Sequence, residues 1–113
     1  MLYKVVLFGT KDTTYQIAEY LQIIPIDLIV TIDENLISSG NISGFKSLKG
    51  LTTRYGIPLF ETDAYNLASN KCQTFFSQNT FELGICMGWQ RLIPLYILNQ
   101  FKYGIFGFHG SCG

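Results

Sequence analysis

His109 is the only histidine in the chain, and it stands in Gly107-Phe108-His109-Gly110-Ser111, where small neighbours leave room for a ligand. An imidazole takes or gives a proton near pH 7 once a partner orients it, so this position is the first candidate for acid–base or charge-stabilising chemistry. A second group lies earlier, in Gly88-Trp89-Gln90-Arg91-Leu92-Ile93-Pro94. There the sole tryptophan beside two polar side chains could wall a flat aromatic ligand. With equal weight, the indole packs over a sheet and Arg91 points to solvent. The segment Phe8-Gly9-Thr10-Lys11-Asp12-Thr13-Thr14 offers a third place to look. A dinucleotide site would need G-x-G-x-x-G there, and only Gly9 is present, so the segment reads as a plain strand-to-helix turn. Asp33 and Glu61 fall near strand ends and read as caps or solvated ends without a chemical role. Cys72, Cys86 and Cys112 are odd in number and lack C-x-x-C spacing, so no metal site is expected. They read as reduced thiols, with Cys86 a small core residue.

These groups need elements to hold them, and the chain reads as strands alternating with helices. Tyr3 to Phe8 is a short apolar run closed by Gly9, as expected of a strand buried on both faces. Asp12 or Thr13 can cap a helix over Tyr15 to Leu21, with Ile17, Ala18 and Leu21 on one face. Leu28 to Ile32 is a second strand, and Asn35 to Gly50 reads as a loop. A short helix from about Leu48 to Tyr55 stops at Gly56, a suitable C′ glycine. Ile57 to Phe60 is a third strand, placed at a sheet edge by Pro58. A helix is expected over Asp63 to Phe76 and a strand over Leu83 to Met87. A further helix is expected from Pro94 to Gln100, with Leu95 and Leu98 inward, and a last strand from Ile105 to Phe108. This alternation predicts one α/β domain over residues 1–113, an open, mostly parallel Rossmann-like sheet with flanking helices. Sites in such sheets lie beyond the carboxyl ends of the strands. The chain closes just after His109, so the sheet reads as incomplete at its C-terminal side.

Composition sets outer limits. Charged residues make up 14% and aromatics 15%, a balance that excludes disorder and leaves apolar surface to be covered. Eight basic and eight acidic residues cancel, and without a basic stripe no nucleic acid is expected as a partner of this segment. No signal-peptide or membrane-spanning stretch is legible, so no membrane role and a cytoplasmic location are expected.

Taken in order, these segments resemble the formyltransferase family that includes methionyl-tRNA, glycinamide ribonucleotide and sugar N-formyltransferases. Val5 to Thr10 is similar to the family's first strand and turn, and Lys49 to Phe60 to its short helix and following strand. Gly88 to Pro94 resembles the loop that contacts the pterin of the donor, and Gly107 to Ser111 the N-x-H-(G/P)-S segment. The resemblance implies that Trp89, Gln90, Arg91 and Leu92 bind 10-formyltetrahydrofolate and that His109 is catalytic, with an amine as acceptor. In the family an asparagine and the histidine stabilise the developing oxyanion, and a distant aspartate supports the histidine. Gly107 occupies the asparagine position, and Cys112 and Gly113 replace the usual continuation. The aspartate is expected beyond residue 113, so the chain is read as the N-terminal part of the catalytic domain, with negligible transfer activity by itself. The competing expectation is a non-catalytic α/β domain that kept the fold and uses its rim for binding or self-association.

Overall fold

The computed structural model describes residues 1–20, 25–39, 44–89 and 91–107. Among these residues five strands form one sheet: β1 (Leu2–Phe8), β2 (Leu28–Ile32), β3 (Leu59–Thr62), β4 (Thr80–Cys86) and β5 (Ile105–Gly107), in the order β3-β2-β1-β4-β5. Every pairing is parallel. The expected open Rossmann-like α/β fold is therefore present. Successive strands step outward from β1 to β3, and the chain then crosses to the other side of β1. That reversal makes the gap between β1 and β4 the topological switch point, where such sheets open a crevice.

Helices α1 (Asp12–Tyr20), α2 (Lys49–Tyr55), α3 (Asn70–Gln78) and α4 (Leu95–Leu98) fill the crossovers, with a 3-10 helix at Glu34–Ser39. Two apolar clusters cover the sheet. One joins Val6, Phe8, Val30, Ile32 and Phe60 to Phe76 of α3 and Ile97 of α4. The other joins Leu7 and Ile29 to Ala18 of α1 and Leu51 of α2. Alternate residues of β2 thus feed opposite clusters, which is why the whole of Leu28–Ile32 is buried and reads as an uninterrupted apolar strand. The first cluster holds most of the aromatic rings, including Phe60 on Phe75 at 4.1 Å and Phe81 on Phe101 at 4.9 Å between centroids.

Several boundaries differ from expectation, each for a local reason. Asp12 lies inside α1 and accepts from the Gln16 side-chain Nε2 one turn on, so neither it nor Thr13 caps the helix. Leu21, expected on its inner face, falls outside the described residues. The helix expected from Asp63 begins only at Asn70, because short polar side chains first close turns with the backbone. Thr62 Oγ1 bonds both the amide and the carbonyl of Ala64, Asn66 accepts from Ala68, and Leu67 takes φ +59. Ser69 then caps α3. The strand expected over Leu83–Met87 starts earlier, at Thr80. β3 runs Leu59–Thr62, past the expected Phe60, and lies at the edge as Pro58 requires. α4 is a single turn in which Ile97 is buried while Leu95, expected inward, is 70% exposed. Cys72 is a free, buried thiol, whereas Cys86 is disulfide-bonded, which corrects the expectation of three reduced cysteines. Among the described residues no helix is long and apolar enough to cross a membrane.

Candidate functional site: the carboxyl rim of β1, β4 and β5

At the switch point the rim is built from backbone carbonyls held by threonine hydroxyls. The Met87 amide donates to Phe8 O at 3.0 Å, so β1 and β4 stay paired to their ends. Thr10 then donates to Gly88 O twice, from its amide at 3.2 Å and from Oγ1 at 2.9 Å. Thr14 Oγ1 donates to Met87 O at 2.6 Å and accepts from the Lys11 amide at 3.3 Å. Both threonines are fully buried. A Cβ on Gly9 would lie 2.2 Å from Thr14 Oγ1 and 2.4 Å from Met87 O, so the close approach of α1 to the sheet requires glycine there. Gly88 is crowded by the same hydroxyl at 2.6 Å and has φ +79, so it too accepts no larger residue without strain. Between the ends of β1 and β4, the carbonyls of Met87 and Gly88 are thus bonded to the Thr14 and Thr10 hydroxyls.

The loop after β4 divides its residues between core and solvent. Trp89 is 0% exposed and stands edge-on to Phe8 at 6.2 Å and to Tyr65 at 5.0 Å. The Arg91 guanidinium lies over the Tyr65 ring at 5.6 Å, and Leu92 is 72% exposed. Ile93 is buried again and returns the chain to the core. Of the residues expected to touch a folate, Arg91 and Leu92 are thus on the surface, and Trp89 is an interior support. Gln90 and the expected catalytic residue His109 lie outside the described residues. Gly107 ends β5 in register with Cys86 of β4, so the last described residue of β5 lies beside the strand end that precedes Trp89.

The other rim residues are engaged structurally. Asp33 Oδ1 accepts from the Asn35 amide, and Glu61 lies 3.9 Å from Lys49 Nζ. A groove of about 240 Å³ runs along α1 between Thr13, Gln16, Ile17, Tyr20 and Met87. It is below the usual size of a pocket for a cofactor-sized ligand. Among the described residues no group of three or more His, Cys, Asp or Glu could hold a metal ion. Thr10 and Thr14 went unrecognised in the sequence. Their signal was a run of hydroxyls just after the glycine that ends β1, which reads equally well as a capping run.

The fold and rim define an open parallel α/β protein of Rossmann-like architecture. Neither protein-family models nor curated proteins match the sequence.

Proposed function

We propose that this chain carries the donor-binding rim of a formyltransferase-like protein, which takes 10-formyltetrahydrofolate and directs its formyl group to an amine. The reading rests on the resemblance, and one structural observation favours it. The two segments that carry most of the resemblance, Gly88–Pro94 and the one beginning at Gly107, start from neighbouring strand ends in register, Cys86 against Gly107. Both strand ends lie at the end of the sheet where α/β proteins bind ligands. The exposed pair suits such a donor. Leu92 offers apolar contact to a flat heteroaromatic ring, and Arg91, steadied over Tyr65, offers a fixed cation.

When bound, the donor supplies an activated formyl carbon. The chain's part is to hold it against the rim and to set the His109 imidazole toward the negative charge that develops on the formyl oxygen as the amine adds. Gly107 contributes no side-chain donor. The loss of one oxyanion donor costs roughly 10²–10³ in rate, so transfer by this chain is expected to be slow. The proposed location is the cytoplasm.

Calorimetric titration with 5-formyltetrahydrofolate tests the reading. Saturable binding is expected, weakened at least fivefold by Leu92→Asp, and a flat titration of the unaltered chain would refute it. A second reading, a non-catalytic binding domain that self-associates, is favoured by apolar side chains in the open. Leu92, Leu95 and Phe106 are 72%, 70% and 60% exposed, and Phe106 lies on the edge strand β5.

A further inference from the structure

We infer that Thr14 is a positioning residue for the ligand-facing loop, an inference that rests on the folate reading above. Its single hydroxyl joins three pieces of the fold. It accepts from the Lys11 amide just before α1, and it donates to Met87 O where β4 ends. It also fills the space left by the absent side chains of Gly9 and Gly88. Thr10 fixes the next carbonyl, Gly88 O, from the end of β1. Two successive carbonyls at the exit of β4 are thus held by hydroxyls, one from the β1–α1 turn and one from the first turn of α1. Trp89 follows at once, locked edge-on between Phe8 and Tyr65, and Tyr65 in turn steadies Arg91. The position of Trp89, on which Tyr65 and through it Arg91 pack, is therefore set from behind by a residue that is itself fully buried.

A capping role alone would not need this geometry. A hydroxyl that only closed the start of α1 would accept from the Lys11 amide, whereas its own proton is donated in the shorter contact, at 2.6 Å, across to β4. Removing the hydroxyl while keeping the branched shape leaves the part-buried Met87 O without that donor, and the loop is then free to shift toward water.

Trp89 is the only tryptophan, so its fluorescence reports on this loop alone. The test uses the full chain, with Thr14→Val and Thr14→Ser compared below their melting temperatures. Thr14→Val is expected to red-shift Trp89 emission, raise its quenching by acrylamide and weaken 5-formyltetrahydrofolate binding about tenfold. Thr14→Ser, which keeps the hydroxyl, is expected to stay within about twofold of the unaltered chain in both readouts. Should Thr14→Val bind like the unaltered chain, or lose affinity with Trp89 still shielded, the positioning role is overturned and the folate reading survives. Should the unaltered chain bind no folate, both fall together. A Thr14→Val chain too unstable to assay is replaced by Thr10→Val, which withdraws the hydroxyl from Gly88 O and is held to the same outcomes.

Discussion

The Tyr96 hydroxyl donates to the carbonyl of Leu67, and burial, with a smaller contribution from the nearby Cys72 thiol, pushes its pKa up to about 12. The sign of the resulting pH dependence is fixed by which state keeps the proton. Between about pH 10 and about pH 12 the folded chain still holds it while the unfolded chain has lost it, so stability falls as pH rises through that window. Melting temperature measured against pH should therefore decline more steeply in the unaltered chain than in Tyr96→Phe above pH 10; parallel curves would show that Tyr96 does not titrate as described. Trp89 teaches a related lesson about reading residues singly. Its sequence neighbourhood allowed a ligand wall and an interior prop with equal weight, because an indole suits both. Burial against Phe8 and Tyr65 gives the prop. No local pattern could decide this, since Tyr65 belongs to a turn far off in the chain.

At the scale of elements, the helix ends carry their own tests. Ser69 accepts from the Cys72 amide and donates to Asp63 at 2.6 Å, so it joins the cap of α3 to the preceding turn. Ser69→Ala should cost about 1 kcal/mol, read from the urea midpoint at unchanged slope. Gly56 ends α2 with φ +71 and its amide on Thr52 O, and a Cβ there would meet nothing within 4 Å. Gly56→Ala should then lose about 1 kcal/mol from backbone strain alone, with no repacking of the core. The Gly56 stop was legible because glycine at a helix end has one common cause. The start of α3 was not, since Asp63 to Ala68 has residues tolerated in a helix and loses it only to specific turn hydrogen bonds.

For the whole molecule, the aromatic cluster is the main store of stability. Phe76 is fully buried and lies within 6.4 Å, between ring centroids, of Phe8, Phe60, Phe75, Phe81 and Tyr96. Phe76→Ala should remove about 3–5 kcal/mol, enough to unfold a marginal domain, and loss of cooperative melting would report it. The opposite problem lies at the β5 edge, where Phe106 is 60% exposed on the outermost strand among the described residues. Sedimentation of the unaltered chain should show mass rising with concentration, and Phe106→Lys should shift it toward monomer; a single monomeric boundary at every concentration would refute association through this edge.

By itself the sequence determined the class of fold and the approximate place of every strand. Runs such as Leu28–Ile32 are short, apolar on both sides and separated by helix-length segments, and a parallel sheet is the arrangement that buries them. It also determined that no glycine fingerprint stands at the first turn, and it supplied the family resemblance that gives His109 its proposed role. Only the tertiary structure decided the strand order, the side-by-side placement of Cys86 and Gly107, and the division of the rim loop into an interior Trp89 and an outward Arg91 and Leu92. The Thr14 link between α1 and β4 belongs with these, for it joins residues 73 positions apart in the chain. Local spacing records which faces are apolar, whereas a hydrogen bond of that span exists only after the sheet has brought its partners together.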